Sequence, residues 1–447
     1  MTYKKIIFLL YLAAVYVKII CIIIKTKEIC MIVLKLAAVV LLLLVLVNKK
    51  VQLGLALLIA SLVMLFINGK GLGDFGQVLI TMVNDPLTYT MTLTILFISI
   101  MGYLMNRYKM LDRMIEHLEQ ILKSAKATIL LAPTIIGLLQ VAGGALMSCP
   151  VVDKLGDKLN ISNAKRAAIN MIFRHGLFFS YPLSPTIILA SQLGGFELFD
   201  FIKIQFPITI VMFVLGYVSL LRGVKDKKPE KISSSEYFGH IKGFLVYSSP
   251  IWVSIVMTVS TGLPIHFSLP IGILVAIIVN YFDAKKDAQY KLEENPAVLV
   301  VKGINVKMTL SVLGILLFKT VVGGLSELNE FIVSMVNGGV PVEIIVNVAV
   351  GILSFSMGNF QPSLAVVYPL ILPVATTYNL ILLFAYLMYA VGFFAYFTSP
   401  IHMCQVLTLE YFKTNMKDLY KCYLMYLPAL IVSLVSWYFA LKFVILA

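Results

Sequence analysis

RHGLFFSYPLSP, residues 174–185, interrupts one of the most apolar regions of the chain. Arg174, His175, Ser180, Tyr181 and Ser184 crowd into it together with Pro182 and Pro185. Each proline removes a backbone donor and disfavours helix at the residue before it. The stretch therefore predicts a helix broken inside greasy surroundings. At membrane depth freed backbone groups must find partners, so such a break is tolerated only where protein buries it or water reaches it.

The chain carries a second version of the same break. FFSYPLSP (178–185) is echoed 215 residues later by FFAYFTSP (393–400), with five of eight positions identical. The same shift lays GGALMSCPVV (143–152) over GNFQPSLAVV (358–367), matching Gly143 with Gly358, Ser148 with Ser363, and Val151 and Val152 with Val366 and Val367. Two ungapped matches at one offset point to an internal duplication, a common construction in transporters.

Composition places these repeats in a membrane. Apolar residues make up 60% of the 447 positions and charged residues 13%, with a mean hydropathy of +0.95, outside the range of soluble domains. Apolar runs at residues 31–47, 51–67, 87–105, 201–221, 244–260 and 423–444 are each long enough to cross about 30 Å of hydrocarbon. The net charge of +14 is a matter of topology, not of nucleic-acid binding. Basic residues collect in alternate short loops: Lys49 and Lys50, 107–126, 154–166, 222–242, 285–307, and Lys413, Lys417 and Lys421. The other loops hold little more than Lys70 and Lys203 and carry Asp74, Asp85, Glu197, Asp200, Glu327 and Glu330. The positive-inside rule makes the basic face cytoplasmic, in the cell membrane. Cys21, Cys30, Cys149, Cys404 and Cys422 have no paired spacing, so no disulfide framework and no metal site is expected.

The charge pattern also orients the repeats. The expected fold is all-α: a polytopic helical membrane protein of two inverted repeats, each with a re-entrant hairpin and a broken helix, and ten crossings in all. Repeat 1 covers residues 31–221, with an amphipathic surface segment at 109–126, its hairpin at 128–152 and its broken helix at 163–193. If 128–152 crossed outright, the basic loop after it would lie outside, which a hairpin avoids. A cytoplasmic linker follows at 222–243. Repeat 2 covers 244–447, with its hairpin at 341–372 and its broken helix at 380–411. Residues 1–30 are either an extra N-terminal anchor or lie ahead of a true start at Met31.

Four half-helix ends facing one another near the midplane form the expected binding site. Positive N-terminal ends suit an anion, and freed carbonyls with hydroxyls suit sodium. The nominated residues are Gly143, Gly144 and Ser148 at the first tip, and Gly358, Asn359, Gln361 and Ser363 at the second. The breaks supply Ser180, Tyr181, Ser184 and Pro185, then Thr398, Ser399 and Pro400. Taken singly, a Pro-Ser pair can be a simple kink and small residues a packing surface; recurrence at one offset favours the functional reading. Arg174 lies eight residues past Arg166, about 12 Å deeper along a helix. It is either a functional intramembrane charge or a cation snorkelling to the interface. His175 is either a proton relay or a packed interior histidine. The midplane regions contain no Asp or Glu, which favours sodium on neutral oxygens over carboxylate-driven proton coupling. No cofactor is expected; sodium is the candidate coupling ion.

GGALMSCPVVD, YPLSP and FTSPIHMCQVLTLEYF together resemble a prokaryotic family of integral membrane proteins placed in the ion transporter superfamily. Its relatives there are gluconate permeases, dicarboxylate and citrate carriers, and the large membrane subunits of tripartite periplasmic transporters. The resemblance covers nearly the whole chain from Met31. It implies a scaffold part and a transport part moving elevator-fashion, a homodimer, and a small organic anion as substrate. The tips lack the Ser-Asn-Thr signature of the dicarboxylate carriers, which leaves dicarboxylate itself open. A cation-coupled secondary transporter is the expected function; a passive channel or a membrane assembly protein is the alternative. GLGD (71–74) matches the GxGD pattern of intramembrane proteases, with Asp283 as a conceivable partner, but the two carboxylates are expected on opposite faces, so no enzyme activity is expected. No nucleotide-binding motif is present.

Overall fold

Every regular element among the described residues is helical. The computed structural model describes residues 27–49, 51–138, 144–226, 233–287, 289 and 294–446. The expected N-terminal anchor thus falls almost wholly outside the described residues, as does part of the 222–243 linker. Seven helices are long and apolar enough to span a bilayer: Pro86–Arg107, Leu198–Leu221, Ser234–Thr261, Ile265–Lys286, Val306–Gly323, Tyr378–Phe397 and Tyr426–Ile445. Their outer faces are apolar and exposed. Only 22% of the Ser234–Thr261 window and 17% of the Tyr426–Ile445 window are buried, and Trp252, Val256, Val259, Val432 and Phe443 stand open. Water penalises such surfaces and hydrocarbon does not. The chain is a multi-pass membrane protein.

Three of the ten expected crossings are shorter. We number the helices in chain order: α1 Lys27–Asn48, α2 Leu53–Ile67, α3 Leu72–Asn84, α4 Pro86–Arg107, α5 Met110–Leu122, α6 Ala125–Leu138, α7 Gly144–Lys158, α8 Asn163–Arg174, α9 Pro185–Gly194, α10 Leu198–Gly216, α11 Ser234–Thr261, α12 Ile265–Lys286, α13 Pro296–Lys302 and α14 Val306–Gly323. After these come α15 Ser326–Asn337, α16 Val342–Met357, α17 Gln361–Ile371, α18 Tyr378–Phe397, α19 Met403–Tyr411, α20 Met416–Tyr423 and α21 Tyr426–Leu446. In α1 the apolar part is residues 34–47, and α2 has 15 residues. The segment 163–193 is two helices, α8 and α9, because the proline-bearing stretch divides it. The helices group into two compact units, each drawing on both halves of the sequence.

The first unit comprises residues 1–92, 192–195 and 306–399. Its tightest pairing is α2 on α14, where backbone meets backbone. A Cβ on Gly54 would lie 2.2 Å from the Leu310 carbonyl oxygen, and one on Gly314 would lie 2.7 Å from the Gly54 oxygen. Small residues of this kind let membrane helices approach closely enough for dispersion to hold them. Helix α16 packs on α17 and α18. Between them the Phe360 ring stands edge-on to Tyr389, with centroids 5.1 Å apart, and fills the space opposite Gly392.

The second unit comprises residues 93–191, 196–305 and 400–447. Helix α5 is the amphipathic segment expected to lie on the membrane surface. The structure corrects that reading: Met110, Leu111, Met114, Ile115 and Leu118 are buried, and the helix packs on α11. Its apolar face is covered by protein rather than lipid. Arg113 fixes the register. Its Nη1 lies 2.6 Å from Asp283 Oδ2, with side-chain exposures of 8% and 13%, and its guanidinium sits 4.2 Å above the Tyr247 ring. Asp283 is thereby committed to holding α12 against α5. Asp74 accepts a hydrogen bond from the Gly71 N–H at the start of α3. Both carboxylates invoked for a protease are used in structural roles.

Three outcomes follow from this packing. Gly54→Ala should cost about 1–3 kcal/mol through forced separation of α2 and α14, read as a lower melting temperature in detergent, while Gly73→Ala, with nothing within 4 Å, should be neutral. Asp283→Ala should cost about 3–5 kcal/mol, because it strands the buried Arg113 guanidinium. Burial, and after it His240, holds the His117 imidazole below its ordinary value of 6.5. The fold therefore favours neutral His117, and stability is expected to fall as pH drops below about 6.5, where the unfolded chain takes up the proton first. The pH dependence of the melting temperature should flatten in His117→Gln.

Candidate functional site

The 174–185 stretch is not an unwound segment. Helix α8 ends at Arg174, and residues 175–184 form a run of tight turns before α9 begins at Pro185. The amides of His175, Gly176, Phe178, Ser180, Tyr181 and Ser184 donate to Ile172, Phe173, His175, Leu177, Leu177 and Tyr181 at 2.9–3.2 Å. These turns satisfy most of the donors that the break would have exposed. Ser184 and Tyr181 are buried, Ser180 is half-buried, and Pro185 is buried at the start of α9.

Helix α8 faces the first hairpin through a polar stripe. Arg166, Asn170 and Arg174 are spaced four apart, on one face of the helix, and all are buried. Arg166 Nη1 and Nη2 each lie 2.7 Å from the carboxylates of Asp153 and Asp157 on α7. Asn170 Nδ2 donates to Thr408 Oγ1 of α19 at 3.0 Å and reaches Cys149 Sγ at 3.4 Å. Its Oδ1 is buried and makes no hydrogen bond among the described residues. Arg174 is only 6% exposed, so its head does not reach a surface by snorkelling. Gly137 of α6 lies against the backbone there: a Cβ on it would lie 2.3 Å from the Arg174 carbonyl oxygen. Thr134 Oγ1 seals the junction by donating to the Phe173 carbonyl at 2.8 Å. Helix α6 is thereby bound to the end of α8 and α7 to its earlier turns.

Of the nominated first tip, Gly143 lies outside the described residues and Gly144 opens α7. Ser148 is fully buried, and its hydroxyl donates back to Ala145 O within α7 at 3.2 Å. Pro400 is exposed.

In the first unit the second hairpin meets the second break. Gly358 closes α16 in the left-handed conformation, φ +57°. That turn starts the tip, where Asn359 Oδ1 accepts the Gln361 N–H at 3.1 Å. Ser354 donates to Ser363 across the two arms at 2.9 Å, and both are fully buried. Ser399 Oγ donates to the Phe355 carbonyl at 2.6 Å, which ties the end of the break to α16. Thr398 bonds back to Phe394 at 2.7 Å within α18. Of the described nominated residues, Gly358, Asn359, Gln361, Ser363, Thr398 and Ser399 belong to the first unit, and Gly144, Ser148, Arg174, His175, Ser180, Tyr181, Ser184, Pro185 and Pro400 to the second.

Sequence reasoning passed over Asn170, Thr408, His402 and Cys404. The stripe spacing of Arg166, Asn170 and Arg174 was a usable signal for the first of these. The others lie in α19 or just before it, and no local pattern marks them. His402 is buried beside His175, with ring centroids 5.0 Å apart.

The match to a known family covers residues 29–443. The chain belongs to the DUF401 family. That family is described as "Protein of unknown function (DUF401)". No curated protein matches the chain. Among solved structures it is similar to the Alcanivorax borkumensis YdaH transporter, whose crystal structure is described as revealing an unusual topology. The two share 13% identity over 82% of this chain and 87% of that one, with a TM-score of 0.55. That likeness shows the fold.

The hairpin junction yields a direct test. Gly137→Ala must displace backbone at Arg174 and should lower the melting temperature by several degrees, a ΔΔG of about 1–3 kcal/mol; Gly195→Ala, with nothing within 4 Å but a left-handed φ of +66°, should cost less, about 1 kcal/mol.

Proposed function

We propose that this protein is a secondary active transporter for a small organic anion of the carboxylate type, driven by a coupled cation. The observation that carries the reading is Arg174. It is a permanently charged residue, only 6% exposed, at the end of α8 where the chain turns, with α6 packed against its backbone at Gly137. A guanidinium held in low dielectric favours an anion beside it, and a carboxylate matches its planar fork through two parallel hydrogen bonds. The N-terminal end of α9, which closes the same run of turns, carries a dipole that favours an anion. The fold shared with the YdaH transporter supports the same class.

The second hairpin supplies the complementary chemistry. The hydroxyls of Ser354, Ser363 and Ser399, with the carbonyl of Phe355, are neutral oxygens of the kind that hold sodium. We assign the cation to that group and the anion to the Arg174 group. The inverted repeats, the elevator motion, the homodimer, membership of the ion transporter superfamily and residence in the cell membrane with basic loops cytoplasmic complete the proposal, as the sequence and its family resemblance imply.

The decisive measurement is uptake of radiolabelled organic acids into proteoliposomes under an imposed inward sodium gradient. Uptake should collapse with the gradient, and flux that ignores every imposed cation gradient would sink coupled transport in favour of a channel. Arg174→Gln should cut initial uptake about tenfold or more, with membrane insertion and melting temperature retained. Ser399→Ala should weaken sodium activation more than substrate affinity.

A further inference from the structure

His175, His402 and Cys404 bring one ligand atom each to within 4.8 Å of one another, the one such group with a histidine or cysteine donor set among the described residues. All three belong to the second unit. We propose that they bind one Cu(I) ion per chain, a site independent of the transport reading above.

The geometry suits a small metal ion. Metal–nitrogen bonds of about 2.0 Å and metal–sulfur bonds of about 2.3 Å place ligand atoms roughly 3.5–4 Å apart. Side-chain rotation of about 1 Å closes the group to that spacing. His175 already stands in a ligand's orientation, with its Nδ1 2.7 Å from the Met171 carbonyl oxygen. A carbonyl only accepts, so Nδ1 carries the proton and the Nε2 lone pair serves as the ligand. A backbone carbonyl in that position is the usual outer support of a metal-bound imidazole. His402 precedes α19 as its N-cap and Cys404 lies in its first turn, so one helix start carries two of the three ligands. Both imidazoles are 1% exposed, whereas Cys404 is partly open and offers the way in.

Charge and softness select the ion. The group contains no hard oxygen ligand, and thiolate with imidazole suits a soft or borderline metal. Binding displaces the Cys404 proton to solvent, so Cu(I), one thiolate and two neutral imidazoles sum to zero. A divalent ion leaves a net positive charge buried one residue from Arg174, which desolvation penalises. Bound metal would pin α19 to the turns that follow α8.

The test is anaerobic titration of the purified full chain with Cu(I) against a chromophoric Cu(I) chelator. One ion per chain is expected, and affinity should fall by at least about tenfold in His402→Ala and in Cys404→Ser. Cys422→Ser, a thiol outside the group, should keep native stoichiometry and affinity. Cu(I) should raise the melting temperature of the native chain and leave that of Cys404→Ser unmoved. In the native chain, Cu(I) should also protect Cys404 from alkylation as mapped by mass spectrometry, a readout that needs no variant. Loss of all Cu(I) to the chelator, undiminished binding in Cys404→Ser, or Zn(II) displacing Cu(I) at equal concentration would each overturn the assignment.

Discussion

A buried polar stripe on one short helix organises the second unit of this protein. Arg166, Asn170 and Arg174 recur every four residues along α8, and each needs a partner because hydrocarbon and apolar side chains offer none. Arg166 is met by Asp153 and Asp157, with Gly156 left bare so that the guanidinium stem can lie against α7. Asn170 is met by Thr408 and Cys149. At Arg174 the backbone packs against Gly137 of α6. The stripe therefore dictates where the hairpin glycines stand, why α7 ends in acidic residues and which face α19 presents.

The break after Arg174 follows from the same constraint. Had α8 run on as an uninterrupted helix, the apolar residues beyond Arg174 would have continued a membrane span past a buried charge. The chain leaves α8 in compact turns and Pro185 starts α9 afresh, with most backbone donors satisfied by near neighbours. The second break is handled differently. Its hydroxyl at Ser399 reaches out of the break to the hairpin carbonyl of Phe355. One motif, echoed in sequence, is thus stabilised by local turns in one place and by a contact between helices in the other.

These arrangements separate two kinds of chemistry. Around the first break the side chains are a guanidinium, a carboxamide, imidazoles and thiols, which suit anions and soft metals. Around the second they are hydroxyls and carbonyls, which suit hard cations.

Hydropathy and charge asymmetry are properties of composition and spacing, so the membrane class, the helical fold and the helix breaks were legible without coordinates. The proline positions marked the start of α9, since proline acts on its own backbone and the residue before it. The burial of Arg174 was undecided, because snorkelling and interior pairing look alike in a sequence. Its 6% exposure comes from the elements packed around the end of α8, Gly137 of α6 among them. The amphipathic pattern of α5 showed that one face must be covered but could not say whether lipid or α11 covers it. Ser148 and Ser363 align in the duplication, yet one bonds back to its own helix and the other across its hairpin. The meeting of His175 with His402 and Cys404 is the clearest case: residues more than 200 positions apart approach only because α19 packs against α7 and α8. Local pattern sets what each segment must bury; only tertiary packing decides what it is buried against.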